Sequence, residues 1–462
     1  MFTLNELRSI TGGRWLVAPA LGGTELSGIQ DDSRYVGPGM LFPAILGETA
    51  DGHAFLGDAI AKGAAGVCVQ APLTRARLAE CRGRGVAVLR VPDTLRAFHA
   101  LAAAHRRRFP QTPIIALTGS SGKTSTRAML SAILEAAFPG AVLSTAGNTN
   151  NHFGVPRNVL RLGPAHRIAV LELGTNHFGE IATLAAIVGA DIGLIVNIGP
   201  AHLEAFGDCD GVAREKGVLF ESLSPAGVAI MPAECEQAAI LRRKAGGRRV
   251  LTFGVGAGAD VRVEYLGWRG DGYRATLSWK AAGVSHDLRW AIGGAHQAMN
   301  AAAAAAAATV VGVAPEVIVA GLAGTVLPGM RMDRKTVAGV CWINDAYNAN
   351  PASTRAALDW VAELLEAAPG ASCLVVLGDM LELGTVARRA HADVLAHALR
   401  VLPGAVVVAV GPLMSAAAAD CGVRSFPDAA AAGDFVRRHA VPGGLVLLKG
   451  SHAMRLEGLL PG

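Results

Sequence analysis

The segment from residue 113 to 138 constrains this chain more than any other. An apolar run, PIIAL, enters the glycine loop TGSSGKTS, and TSTRAMLSAILEAAF follows. In that second run Met129, Ile133, Leu134, Ala137 and Phe138 fall on one face at helical spacing. Strand, glycine turn and helix in this order make a phosphate-binding unit. Gly119 and Gly122 let backbone N–H groups close around an anion, Lys123 adds a cation, and the Thr124 hydroxyl can ligate Mg²⁺. Leu117 stands where the usual Walker pattern has glycine, which leaves G-x-x-G-K-T. An ordinary glycine-rich turn is the alternative; the flanking elements and the Lys-Thr pair favour a phosphate site.

Two further apolar runs, RIAVLEL (167–173) and DIGLIVNIG (191–199), read as buried parallel strands that end in polar residues. Ligands of a doubly wound sheet bind at the carboxyl ends of its strands, so these endings belong near the glycine loop. Glu172 lies inside an apolar run, where an unpaired carboxylate is costly to bury. A bound cation and a salt bridge to Lys or Arg would relieve that cost equally well. His202, just after the third strand, is on its own more readily a satisfied polar residue than a ligand. With Thr124 and Glu172 expected on the same sheet edge, a metal becomes the better reading, and hydroxyl plus carboxylate suits Mg²⁺ over zinc. In GVAREKGVLFESL, Lys216 shares a helical face with Val212 and Leu219; taken alone it reads as a solvated lysine.

The rest of the chain divides around this unit. An alanine-rich helical stretch, 95–109, is broken by PQTP, because proline removes a donor and biases its neighbour away from helix. Residues 259–292 alternate and carry a GDG turn, which predicts antiparallel strands before the helix AHQAMNAAAAAAAATVVGV. After residue 332, VCWIND, CLVVLGD, AVVVAVG and GLVLLKG alternate with helical stretches at 351–368 and 386–402, which predicts a second, largely parallel sheet. The expected domains are 1–109, 110–332 and 333–462, close to the three that 462 residues suggest at about 150 per domain.

Composition removes several alternatives. With 51% hydrophobic and 17% charged residues the chain is not disordered, and no uniformly apolar stretch of about 20 residues can span a bilayer. MFTLNELRSITGG lacks the pattern of a signal peptide, so a cytoplasmic location is expected. Seven scattered cysteines without a C-x-x-C spacing indicate neither a disulfide framework nor a zinc site. A formal charge of +5, with no basic run longer than HRRRF, favours small anionic ligands over nucleic acid.

Taken together, eight stretches in order resemble the Mur ligases: DDSRYVGPGMLFPAILGETADGHAF (31–55), GNTNNHFGVP (147–156), LELGTNHFGEI, NIGPAHLEAFG, REKGVLF, HQAMNAAAA, DAYNANPAS (345–353) and LGDMLELG (377–384). The loop TGSSGKTS looks like that family's own short variant of the phosphate loop. DAYNANP and GDMLELG resemble the branch that adds D-alanyl-D-alanine, and the D-N-P-R-like stretch of the branch adding diaminopimelate or lysine is absent.

The resemblance implies an α/β protein with the three-domain Mur ligase architecture: an N-terminal domain for the UDP end of one substrate, a central P-loop ATPase domain, and a Rossmann-like C-terminal domain that receives the dipeptide. It implies an ATP- and Mg²⁺-dependent amide ligase, monomeric, whose substrates are UDP-N-acetylmuramoyl-tripeptide and D-alanyl-D-alanine. Carried over by position, Gly119, Ser120, Ser121, Gly122, Lys123, Thr124 and Ser125 bind ATP phosphates, Asn300 the adenine side, Arg331 the γ-phosphate, and Asp345 with Asn348 the nucleotide from the C-terminal domain. Ser33 and Arg34 match residues near the uridine diphosphate. Asn150 and Asn151 match contacts to the muramoyl or diphosphate region, with turn chemistry as their alternative. Glu172 and His202 would hold magnesium with Thr124, and Lys216 matches the lysine that the family carbamylates. The implied catalytic set is Lys123, Glu172, His202, Lys216 and Arg331.

The chain departs from the family pattern at Arg331, which follows Met330 and not a glycine, and at His452, where the family commonly has arginine. Three other readings stand beside this one: a sister ligase of the diaminopimelate-adding or folylpolyglutamate type, a nucleotide-binding scaffold without catalysis, and a plain P-loop GTPase or kinase. The last would leave the N-terminal stretch without a use.

Overall fold

The computed structural model describes residues 1–21, 23–47 and 50–461. Glu48 and Thr49 of the 31–55 stretch, and Gly462, lie outside the described residues. The chain partitions into two compact units, residues 1–114, 145–171 and 183–189 in one, and 115–144, 172–182 and 190–462 in the other. Residues on both sides of position 333 thus belong to a single unit.

In the first unit five short strands form a sheet in the order Arg14–Val17, Ala87–Arg90, Gly66–Val69, Met40–Pro43, Gly28–Ile29, parallel except at the Arg14–Val17 edge. The sequence announced only apolar runs between glycine turns here, because strands of two to four residues are too short for a period to register. Asp93 starts the helix Thr94–Arg106 by accepting from Arg96 N. The end of that helix explains the basic run HRRRF. Arg106 donates to the carbonyls of Val188 and Phe109, His105 bonds the Leu162 carbonyl, and Arg108 pairs with Glu6, so these residues stitch the fold.

Nine strands make the second sheet: Val284–Trp290, Tyr273–Trp279, Val261–Trp268, Arg249–Gly254, Val228–Pro232, Ile192–Ile195, Ile114–Thr118, Ile168–Glu172, Val142–Ser144. The expected strands are present, and Ile192–Ile195 runs parallel to Ile114–Thr118. The first of these runs is shorter than its apolar text, since Val196 and Asn197 already belong to the loop beyond it. The 261–290 segment is antiparallel as expected, and Tyr273–Trp279 alternates strictly between buried and half-buried positions.

The helix Lys123–Ala137 buries Met129, Ile133 and Leu134, with Ala137 and Phe138 half-buried at its end. It packs against Ala295–Val310 and Pro315–Ala323. Alanines 301 to 308 are all fully buried, which admits close helix packing without large side chains. Gly321 marks the tightest approach, since a Cβ there would lie 2.5 Å from Ile133 Cα.

The third sheet has the order Asp333–Val337, Val340–Asn344, Leu445–Lys449, Cys373–Gly378, Val406–Val410, Arg424–Phe426. It is parallel except for its first strand, as the alternation of strands and helices predicts. The helix Pro351–Glu366 begins with a reciprocal cap between Asn350 and Ser353 and carries proline in its first turn, so NANPAS serves as a helix start. All seven cysteines are free, and among the described residues no helix is long and apolar enough to cross a membrane.

Candidate nucleotide site

The glycine loop leaves the strand Ile114–Thr118 and enters the helix Lys123–Ala137 through Gly122, whose φ of 74° is left-handed. A Cβ on Gly122 would fall 2.4 Å from Asn300 Oδ1, so glycine is required by conformation and by space. Asn300 is buried and donates to Gln297 Oε1, which places it against the loop backbone. The first turn of any helix leaves N–H groups without intrahelical partners, here from Lys123 onward, aimed back into the loop.

The loop is held from outside by a residue the sequence did not single out. Asn197, two positions past the strand Ile192–Ile195, accepts from Ser121 N at 2.9 Å and donates to Ser121 O and Oγ at 3.1 and 3.0 Å. Ser120 Oγ exchanges bonds with Gly199 O and N at 2.9 and 3.0 Å. These bonds fix the shape of the loop from outside. Lys123 Nζ bends back onto Gly119 O at 2.7 Å. Burial lowers its pKa, Glu172 raises it, and Arg331 lowers it again, so all three groups share one electrostatic environment.

Glu172 is 1% exposed at the end of its strand. Thr124 Oγ1 donates to its Oε1 at 3.2 Å and Arg127 Nε to its Oε2 at 3.3 Å. Of the two ways of relieving a buried carboxylate, the salt bridge is present on one oxygen, through Arg127, and the loop-helix hydroxyl bonds the other. Arg331 comes from the segment before the third sheet. Its guanidinium lies 4.1 Å over the Tyr347 ring, and burial lowers its pKa against the opposing pull of Glu172. The backbone around it is held by Asp345 Oδ1 accepting from Met332 N at 3.1 Å and by Tyr347 N donating to Met330 O at 3.3 Å. Met330 and Met332 both have φ of 57°, a left-handed conformation that costs non-glycine residues about 1 kcal/mol or more each.

Lys216 corrects the reading of a solvated lysine. It sits in the helix Cys209–Glu221, which Asp208 caps, and is 1% exposed beside Val212 and Leu219. Burial first, and then the neighbouring Lys123, drive its pKa well below the usual lysine value. The adjacent Glu215 is committed elsewhere, accepting from Gly179 N and Ile181 N at 2.8 Å each. His202 adopts φ of 53° and places Nδ1 2.6 Å from Glu382 Oε2. Among the described residues no cluster of three or more His, Cys, Asp or Glu forms a metal cage.

Three family models cover the chain: Mur ligase family, catalytic domain over residues 25–106; Mur ligase middle domain over 117–308; and Mur ligase, glutamate ligase domain over 330–452. The UDP-N-acetylmuramoyl-tripeptide--D-alanyl-D-alanine ligase of Escherichia coli (strain K12) is 38% identical over 394 residues, 85% of this chain and 82% of that protein. The chain belongs to the Mur ligase family. MurF from Acinetobacter baumannii superposes with a TM-score of 0.89 at 35% identity, covering 99% of this chain and 97% of that one. A MurF ligase from Thermotoga maritima, solved in complex with ADP, shares the fold with a TM-score of 0.79 at 24% identity, covering 94% and 96%.

The remaining residues that the Mur ligase resemblance singled out fall into two groups. Asp345, which acts on the Arg331 charge, and Asn348 are tied by Lys449, 3% exposed, whose Nζ donates to Asp345 O and Asn348 O at 3.1 and 2.6 Å and pairs with Asp345 Oδ2 at 2.8 Å. Lys449 was not anticipated; its only signal was a lysine ending an apolar strand. His452 stacks on Tyr347 with ring centroids 5.7 Å apart, on the ring that also carries Arg331.

Ser33, Arg34, Asn150 and Asn151 all belong to the first unit. Arg34 is exposed and pairs with Asp32 at 2.6 Å, while Ser33 O accepts from Lys62 at 2.8 Å. Asn151 Oδ1 accepts from Phe153 N and Gly154 N at 3.2 and 3.0 Å, which is the turn chemistry weighed as its alternative. Arg157 donates to Asp31 at 2.7 and 2.8 Å, so a bidentate ion pair joins the 31–34 stretch to the helix after 147–153.

Proposed function

We propose that the protein ligates D-alanyl-D-alanine to UDP-N-acetylmuramoyl-tripeptide at the expense of ATP, in peptidoglycan precursor synthesis. The observation that carries this reading is the convergence of Lys123, Thr124, Glu172 and Arg331 on one glycine loop. The chain around that loop is similar along most of its length to ligases of this specificity. A carboxylate oxygen of the tripeptide attacks the γ-phosphorus, the bond to ADP breaks, and an acyl phosphate forms. The dipeptide amine then attacks the acyl carbon; a C–N bond forms, inorganic phosphate leaves and a proton is released.

Phosphoryl transfer is catalysed chiefly by positioning and by neutralising charge. Residues 119–125 would cradle the phosphates through backbone N–H groups, and Lys123 would exchange the Gly119 carbonyl for a phosphate oxygen. Arg331, oriented by Tyr347, would meet the γ-phosphate, with Asn300, Asp345 and Asn348 completing the nucleotide contacts. Ser33, Arg34, Asn150 and Asn151 would contact the UDP-linked substrate. We divide these roles among domains 1–109, 110–332 and 333–462.

Thr124, Glu172, His202 and Lys216 would hold Mg²⁺, which when bound supplies neutralisation of phosphate charge. The Thr124 hydroxyl and the Glu172 carboxylate, which meet at 3.2 Å, are oxygen donors of the kind a hard cation takes. Burial and the neighbouring Lys123 push Lys216 toward the uncharged amine, the form that adds CO₂, and the resulting carbamate would place an anion beside Lys123. ATP and a UDP-linked peptide are soluble nucleotides, and we assign the protein to the cytoplasm as a monomer.

The test is phosphate release from ATP with UDP-N-acetylmuramoyl-tripeptide and Mg²⁺, with and without D-alanyl-D-alanine, and mass detection of the product. Dipeptide-dependent release with a UDP-muramoyl-pentapeptide formed is the expected result. Release only with another amino acceptor moves the protein to a sister ligase, and ATP binding without turnover makes it a scaffold.

A further inference from the structure

The LGDMLELG stretch starts in the last two residues of the strand Cys373–Gly378 and continues into the loop beyond it, and the proposed reaction uses none of its side chains. Its first half is tied down by buried polar groups. Asp379 accepts from Met414 N at 2.7 Å and Leu413 N at 3.2 Å, Met380 N donates to His391 Nε2 at 2.9 Å, and Leu381 N donates to Ser451 Oγ at 3.0 Å. Its second half turns through two left-handed residues, Glu382 at φ 64° and Gly384 at φ 56°. A Cβ on Gly384 would lie 3.2 Å from Glu204 Cα, so the glycine lets the loop come against the turn that carries His202.

A glutamate held in a left-handed conformation stores strain, and such strain persists only where surrounding contacts enforce it. The contact it makes is specific. Glu382 Oε2 lies 2.6 Å from Nδ1 of His202, itself left-handed at φ 53°. Two left-handed residues, from loops that follow strands of different sheets, thus face each other across one short hydrogen bond.

We infer that Glu382 is a positioning residue: its carboxylate accepts the Nδ1–H of His202, selects that tautomer, and leaves Nε2 as the ring nitrogen that can accept or ligate. A histidine that offers one ring nitrogen to a cation commonly donates its other N–H to a carboxylate. This inference rests on the reading of His202 as a magnesium ligand. It also ties the tautomer of His202 to a loop of the C-terminal sheet, so the ring is correctly presented only while that loop stands against residues 202–204.

The experiment uses the full chain with ¹⁵N-labelled histidine, free of metal, at a pH above the imidazole range. Long-range ¹H–¹⁵N spectra read the tautomer of His202, assigned with H202Q. The expected result is Nδ1–H in the parent and in E382Q, whose amide oxygen still accepts, and Nε2–H or a mixture in E382A. E382N, which suits a left-handed backbone but is one methylene too short, serves as a second removal variant should E382A fold poorly. In parallel, the Mg²⁺ concentration for half-maximal binding of a fluorescent ADP rises about tenfold in E382A and stays near the parent value in E382Q. An unchanged tautomer in E382A and E382N overturns the inference. A switched tautomer in E382A, with H202Q leaving the Mg²⁺ requirement unmoved, upholds Glu382 as the positioning residue and removes the ligand role of His202.

Discussion

The Thr124 hydroxyl donates to Glu172 Oε1 at 3.2 Å, so the first turn of the loop helix and the end of a neighbouring strand meet on one buried carboxylate. Arg127 holds the other oxygen at 3.3 Å. Glu172→Ala removes the acceptor of a buried ion pair and is expected to destabilise the protein by about 3–5 kcal/mol. Glu172→Gln keeps an acceptor and most of the packing, so its urea midpoint falls less, while its rate of phosphate release drops by about 10²-fold or more. Equal losses of stability and turnover in both variants would reduce Glu172 to a structural group.

Asn197 clamps Ser121 through three hydrogen bonds. Asn197→Ala is expected to loosen the loop, raise the KM for ATP by about tenfold and lower kcat as well, since misplacing positioned groups by about 1 Å slows the chemical step. Asn197→Asp keeps the acceptor for Ser121 N and turns the former donor into an oxygen facing Ser121 O. Steady-state kinetics should therefore rank it no better than the alanine variant.

Lys449 carries the segment from Asp345 to Asn348 on three contacts while almost fully buried. Lys449→Met leaves the Asp345 carboxylate and two carbonyls without their cation, and is expected to cost about 3–5 kcal/mol in urea denaturation. At temperatures where the variant remains folded, the KM for ATP should rise. An unchanged KM would separate the 345–348 segment from nucleotide binding.

His296, one turn before Asn300 in the helix Ala295–Val310, gives the fold a pH dependence. Burial, reinforced by Lys449 and opposed by Asp345 and Asp359, pushes its pKa down to about 4 from an ordinary 6.5. The unfolded chain therefore takes up the proton first as pH falls, and stability is lost between about pH 6.5 and 4, by about 1–3 kcal/mol. His296→Gln should flatten that part of the curve. Urea midpoints of the two proteins at pH 7.5, 5.5 and 4.5 measure it, and parallel curves would refute the assignment.

The phosphate loop, its strand and helix, the antiparallel 261–290 segment and the parallel C-terminal sheet were legible in the sequence. Each is written in a local pattern: glycine spacing, a period of two or of 3.6, proline at a helix start. Thr124 and Glu172 could be placed on one sheet edge because strand ends of a parallel sheet share an edge. The tertiary structure decided what those patterns leave open. Lys216 is buried although its neighbours in sequence are charged, Arg127 shares Glu172 with Thr124, and Asn197, Lys449 and Glu382 hold residues far from them in the chain. Periodicity reports which face of an element is apolar; it carries no term for the partner that a polar group meets across the fold, and that partner sets its charge, its tautomer and its orientation.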